Sequence, residues 1–174
     1  MQGVIFSALK ELVIKEYSEK TWQMIVEHCG EKYPFEFDEH SFVKDEIFLC
    51  FMMQFASITA QLPEQIYDKF ADYWINSYTP RRFKLFYDFS YSPMDFILKL
   101  DCIHEIITNR LFLSFPPRFE YEKLSDKELI VTYQSQRNLI NLAASMFKAI
   151  GKFYQEPIDV IKLDENRLKL NFLF

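Results

Sequence analysis

"RFEYEKLSDKELIVTYQSQR", residues 118 to 137, is where the chain changes its period. Upstream of it, apolar residues recur every three or four positions; within it they alternate. Leu129, Val131 and Tyr133 share one parity, and side chains two apart in a strand share a face. "RFEYEKL" (118–124) and "ELIVTYQS" (128–135) flank a short polar turn, the pattern of a β-hairpin. The parity of Tyr133 continues through Ser135 and Arg137. An apolar strand face is therefore expected to end in a phenol, a hydroxyl and a guanidinium.

Working outward, "NLINLAASMFKAIGKFY" (138–154) returns to a helical period. "PIDVIKL" (157–163) and "RLKLNFLF" (167–174), joined by "DEN", predict a second hairpin. Upstream, Ile5, Ala8, Leu9, Leu12 and Val13 form a helix stripe over 2–17, and a helix over 19–29 is followed by Gly30 at C′. Residues 31–42, His40 among them, read as a loop, 44–61 as an apolar helix, and 62–78 as a helix with Pro63 in its first turn. Thr79 and Pro80 suggest an N-cap and N1 of a short helix. Ser92, Pro93 and Asp95 carry a start signal for a helix over 92–111, with Ile97, Leu100, His104, Ile107 and Leu111 on one face. The expected fold is α+β: a largely helical N-terminal part, then an antiparallel sheet of two hairpins with an intervening helix. One domain is expected over 1–174.

Composition sets limits. The 174 residues include 19 Phe, 10 Tyr and 2 Trp, enough to pack an aromatic core or to wall a large apolar ligand. A net charge of −5 argues against nucleic acid, whose binding rests on neutralised phosphates. The three glycines, Gly3, Gly30 and Gly151, write neither a dinucleotide-binding fingerprint nor a P-loop. The longest apolar run, Ile47 to Ala60, has 14 residues, fewer than a membrane span needs. "MQGVIFSALKELVIKEYS" lacks a basic n-region and reads as a folded helix rather than a signal peptide. Cys29, Cys50 and Cys102, odd in number and without CxxC spacing, are expected as reduced thiols. These features point to a cytoplasmic protein with no membrane partner.

His104 is the titratable residue that stands out. An imidazole inside an apolar stripe loses its hydration and needs a partner. One reading is a core histidine bonded to a backbone carbonyl. The other is a single axial ligand to a haem iron. Zinc fits poorly because it takes three or four ligands, and Leu100, Asp101, Ile107 and Thr108 are the residues one turn away. His28 and His40 lie far off in sequence and read as surface residues. Haem also brings two propionates, which suit an arginine fork and neutral hydroxyl donors. Tyr133, Ser135 and Arg137 are donors of those types, although a solvated strand end would look the same.

Taken together these residues resemble the haem nitric oxide/oxygen-binding (H-NOX) family, which includes the haem domain of soluble guanylate cyclase. "MQGVIFSAL" is similar to the family's opening, "LDCIHEIITNRLFLSFPPRF" to its proximal-histidine helix and following proline pair, and "YQSQR" to its Y-x-S-x-R motif. The resemblance implies a non-covalent haem b between the helical part and the sheet. It makes His104 the proximal iron ligand, and Tyr133, Ser135 and Arg137 the propionate clamp. Pro117 matches the proline that presses on the porphyrin. By position Ile5, Leu9, Trp74, Tyr78, Leu142 and Met146 line the pocket, with Leu100 one helical turn from the ligand.

Oxygen-binding members of the family carry a distal tyrosine five residues after the motif arginine; here that residue is Leu142. Leu9 and Trp74 replace the tryptophan and asparagine that support such a tyrosine. The implied protein is a sensor, not an enzyme. It takes nitric oxide and carbon monoxide, discriminates against oxygen, and signals when the iron–His104 bond breaks. The resemblance further implies a monomer acting on a separate histidine kinase or diguanylate cyclase. A haem-free interaction or lipid-binding module is the competing expectation.

Overall fold

The computed structural model describes residues 3–31, 35, 38, 39, 41–108 and 116–173. His40, Leu111 and the side chain of Ile107 lie outside them. The chain divides into two compact units, Met1–Tyr73 and Trp74–Phe174.

The first unit is helical: α1 (Gly3–Glu16), α2 (Glu19–His28), α3 (Asp45–Ile58) and α4 (Pro63–Tyr73). Each is a consequence of local signals. Ser18 caps α2, its Oγ accepting from the Thr21 amide at 3.1 Å. Gly30 ends α2 at φ +74°, donating to Glu27 O while Glu31 N donates to Val26 O, which is a Schellman closure. The apolar stripes of the four helices meet in an aromatic cluster. Phe6 stands edge-on to Phe48 and Phe51 at 5.6 and 5.7 Å, and Trp22 lies 5.2 Å from Phe51. Such edge contacts add to the large areas these rings bury.

The structure corrects one expectation about this unit. Cys29 and Cys50 are joined in a disulfide, with sulfurs 2.15 Å apart, and Cys102 is free and exposed. The pairing arises because α2 and α3 pack side by side and bring the end of one to the middle of the other. The residues are 21 apart in sequence with no spacing motif, so nothing local announces the bond.

The second unit opens with a π-type turn, Trp74–Tyr78, and runs through α5 (Thr79–Arg82), α6 (Lys84–Asp88), α7 (Pro93–Thr108), β1 (Arg118–Lys123), β2 (Glu128–Gln134), α8 (Ile140–Phe153), β3 (Ile158–Lys162) and β4 (Arg167–Phe172). Thr79 is not an N-cap, as the sequence had suggested. Tyr78 before it is already helical, and the Thr79 hydroxyl donates back to Trp74 O at 2.7 Å. Pro80 has no N–H to return to the preceding turn, and the wider π turn accommodates that loss. At the head of α7 the expected start signal is present. Asp95 N donates to Ser92 Oγ at 3.1 Å, and the Asp95 carboxylate accepts from Tyr91 N at 3.1 Å.

The two hairpins form one antiparallel sheet in the order β1-β2-β4-β3. Its buried face follows the alternation read from the sequence. Phe119 lies opposite Tyr133, Val131 opposite Leu168 and Leu129 opposite Leu170. α8 packs on this sheet, burying Leu142, Phe147 and Ile150. Among the described residues no helix is long and apolar enough to cross a membrane.

Candidate functional site

His104 sits on α7 with its ring tilted toward Phe119 of β1, centroids 5.7 Å apart. Its Nδ1 lies 3.1 Å from the carbonyl oxygen of Pro117. A carbonyl only accepts, so Nδ1 carries the proton and Nε2 the lone pair. Burial holds the His104 pKa below the ordinary histidine value. The charges of Arg118 and Arg137 act in the same direction, against the Pro117 bond and the Asp101 charge. The imidazole is therefore neutral near pH 7, with a fixed tautomer. This is the state in which a histidine binds a metal, and orientation by a carbonyl is the usual outer-shell arrangement. The same bond also satisfies the bland reading, a core histidine with a carbonyl partner, so the other groups around it must decide.

One of them is Asp101, one helical turn before His104. Its carboxylate accepts from Arg118 Nε at 2.8 Å, from Arg118 Nη2 at 2.6 Å and from the Phe119 amide at 3.0 Å. Burial works against the ionised form, but the Arg118 fork and the Phe119 amide prevail and hold the Asp101 pKa below the ordinary range. The residue that orients His104, Pro117, directly precedes Arg118. One carboxylate thus fixes the start of β1 to α7 beside the histidine. Sequence reading passed over Asp101 because a carboxylate next to an apolar stripe looks like a solvated face. The signal available was its spacing, three residues before His104 on the same helix.

Phe119 was missed as well, and it connects the site. Its ring lies 5.7 Å from His104, 5.9 Å from Tyr133 and 5.9 Å from Phe147. Through it α7, β2 and α8 meet at one aromatic centre.

The donor row is partly as expected. Tyr133 is buried at the inner face of β2, only 4% exposed. The strand, however, ends at Gln134, so Ser135 and Arg137 do not continue its face. They form a turn in which Ser135 Oγ accepts from the Arg137 amide at 3.2 Å. A serine one residue past a strand competes for the backbone in this way, and Asn138, at φ +52°, completes the bend into α8. Both Ser135 and Arg137 remain partly exposed. A turn of this kind still sets hydroxyl and guanidinium near the strand end, and the Arg137 charge reaches His104.

Other pocket candidates of this unit are also located. Trp74 and Tyr78 stack within the π turn at 5.5 Å, with the Arg82 guanidinium 4.8 Å over the Tyr78 ring. Asn76 Nδ2 donates to Ala149 O at 3.2 Å, tying that turn to α8. Leu142 is buried on α8, while Met146 and Leu100 are partly exposed. In the first unit Leu9 is fully buried and Ile5 partly so. His28 is exposed at the end of α2, as its position suggested. Among the described residues no three His, Cys, Asp or Glu side chains gather as a ligand set for a metal ion. One oriented neutral imidazole with tyrosine, serine and arginine donors suits a macrocycle that brings its own four nitrogens and two carboxylates. The residues present therefore fit haem.

Known proteins share this architecture. A family model described as "Haem-NO-binding" matches residues 2–162. The comparison with curated proteins returned no match. Among solved structures, an H-NOX protein from S. oneidensis in its Fe(II)NO state superposes with a TM-score of 0.87 at 15% identity, over 99% of this chain and 98% of that one. The A71G mutant of an H-NOX protein from K. algicida, Fe(II) and unliganded, gives 0.86 at 13% identity, over 99% and 96%. An oxygen-binding H-NOX domain related to soluble guanylate cyclases gives 0.82 at 15%, over 99% and 95%. At such identities the structural likeness is one of fold.

Proposed function

Because this chain belongs to the haem-NO-binding family, a family of haem-based gas-sensing domains, we propose that it senses nitric oxide at a haem b held by His104. Tyr133, Ser135 and Arg137 receive the two propionates. The observation that carries this reading is the family match over residues 2–162 together with one imidazole, oriented by the Pro117 carbonyl, beside the buried Tyr133. When bound, the haem supplies a ferrous iron able to take a diatomic gas.

The chain's own residues set selectivity and output. Bound oxygen carries partial negative charge and is stabilised by an aimed donor, worth roughly 1.5–3 kcal/mol in an apolar pocket. Leu142 supplies none, and we assign Ile5, Leu9, Leu100, Trp74, Tyr78 and Met146 to the same pocket. Nitric oxide and carbon monoxide need little such help, so the protein discriminates against oxygen as long as the Trp74 N–H and the Tyr78 O–H are not turned to the ligand. Pro117, whose carbonyl orients His104, would lie against the cofactor. For output, His104 and α7 are the parts that respond. Were His104 to leave the iron, the Asp101–Arg118 pair would keep α7 tied to the start of β1, so that a shift of the helix would carry the strand with it. We read residues 1–174 as one haem-binding domain. It is a cytoplasmic, monomeric sensor rather than an enzyme, serving a separate histidine kinase or diguanylate cyclase.

The test is an absorption spectrum of the reduced protein with and without nitric oxide, repeated for His104→Gly. The protein should show a Soret band that moves on adding the gas. The variant should lose haem or require added imidazole. A stable oxy spectrum in air refutes the selectivity, and haem retained by His104→Gly with an unaltered ferrous spectrum refutes the ligand.

A further inference from the structure

The Cys29–Cys50 disulfide closes a segment whose far end does something specific. Cys29 caps the end of α2 and Cys50 lies within α3, with Cα atoms 5.9 Å apart, an ordinary span for a disulfide. Inside the closed segment, Ser41 N and Ser41 Oγ both donate to Asp38 O, at 2.9 and 2.7 Å, making a compact turn. That turn receives the start of α1. Gly3 N donates to Ser41 O at 2.9 Å, and Val4 N donates to Glu39 O at 3.1 Å. A helix leaves its first four amides without intrahelical acceptors, and here two of them are satisfied by the stapled segment. Phe35, in the same segment, packs on Phe51, the neighbour of Cys50, at 5.5 Å. Both cysteines are half-buried.

We propose that Cys29–Cys50 is a thiol–disulfide exchange site for low-molecular-weight thiols and disulfides, whose state sets how firmly Glu39 and Ser41 hold the first turn of α1. In the oxidising direction, one cysteine thiolate attacks a sulfur of a small disulfide RSSR and expels RS⁻, leaving a mixed disulfide. The second cysteine thiolate then attacks the protein sulfur of that bond, forms Cys29–Cys50 and expels the second RS⁻. Two protein thiols give up two protons and two electrons, and RSSR takes them up as two RSH. The reducing direction runs these steps backward. Partly exposed disulfides are the ones that exchange, whereas buried ones resist. α1 also carries Ile5 and Leu9. The proposed pocket thus draws on the same helix, but the latch itself stands without that reading.

The test uses the full chain with Cys102→Ser, so that only this pair titrates. The protein is equilibrated over a range of reduced-to-oxidised glutathione ratios, alkylated and weighed intact. Hydrogen exchange is followed at both ends of the range. The pair should pass from oxidised to reduced within the series. The peptide covering residues 3–9 should exchange at least tenfold faster in the reduced state, while a peptide from α8 keeps its rate. Cys29→Ser with Cys50→Ser should show the fast rate at every ratio. A pair that stays oxidised, or stays reduced, across the series overturns the proposal. So does an equal exchange rate at residues 3–9 in the two states. Should the double variant fail to fold, reduction of the unsubstituted pair still decides. No readout depends on haem, so failure here and failure of the sensor reading are separable.

Discussion

Replacing Gly3 by alanine sets a helix preference against a steric conflict, and the structure says which wins. Alanine gains about 1 kcal/mol over glycine in a helix interior, and less in a first turn. A Cβ at Gly3 would stand 2.1 Å from Asp38 O, 3.0 Å from Asp38 C and 3.2 Å from Glu39 Cα. All three are backbone atoms, so no side-chain rotation relieves the contact. Overpacking of this kind costs about 1–3 kcal/mol. The shift that relieves it also stretches the Gly3–Ser41 and Val4–Glu39 bonds, each worth about 1 kcal/mol. The expected net effect of Gly3→Ala is a loss of about 1–3 kcal/mol, read from urea unfolding. Lys148→Ala, an exposed position on α8, serves as control and should stay within about 0.5 kcal/mol of the parent. An unfolding midpoint for Gly3→Ala at or above the parent's would refute the seating of α1 on Asp38, Glu39 and Ser41. The glycine in the opening "MQGV" thereby gains a steric reason.

Three further outcomes are expected. The Asp95 pKa is lowered chiefly by the Lys99 bond and also by the Tyr91 amide, with burial opposing. Its contribution is therefore present above the ordinary carboxylate value of about 3.9 and lost as pH falls through the lower folded value. Thermal melts should show a shallower acid limb for Asp95→Asn than for the parent, and parallel limbs would exclude the role. Removing the disulfide as Cys29→Ser with Cys50→Ser frees a loop of 21 residues, a cost of about 3 kcal/mol in the unfolded-chain account; an unchanged denaturation midpoint would contradict it. Leu142→Tyr should slow oxygen release roughly tenfold to a hundredfold by adding a donor, as read by stopped-flow; no change would move Leu142 out of the pocket.

Periodicity made much of this fold legible, because amphipathic helices and half-buried strands write their faces into the sequence. The α7 stripe and the alternation of Leu129, Val131 and Tyr133 are examples. What was not legible depended on partners distant in the chain or on competition at element ends. Thr79 has the composition of a cap, but the helix runs through it. Ser135 keeps the parity of Tyr133, yet its hydroxyl takes the Arg137 amide and ends the strand. Cys29 meets Cys50 only because two helices pack. His104 was visible as an oddity on its helix, whereas Asp101 and Phe119 acquire meaning only once β1 is laid beside α7.

The sheet order carries a consequence for how the protein is made. β4 pairs with both β2 and β3, so one of the two inner strands of the sheet is the last of the four to be synthesised. Until it emerges, β2 has one edge without its neighbour, beside the apolar Leu129 and Val131, while α8 and β3 are already out. An unpaired, apolar strand edge is where nascent chains find wrong partners. A chain cut before β4 would lose not a tail but the strand that joins the two halves of the sheet, and translation pauses before it would prolong the exposure.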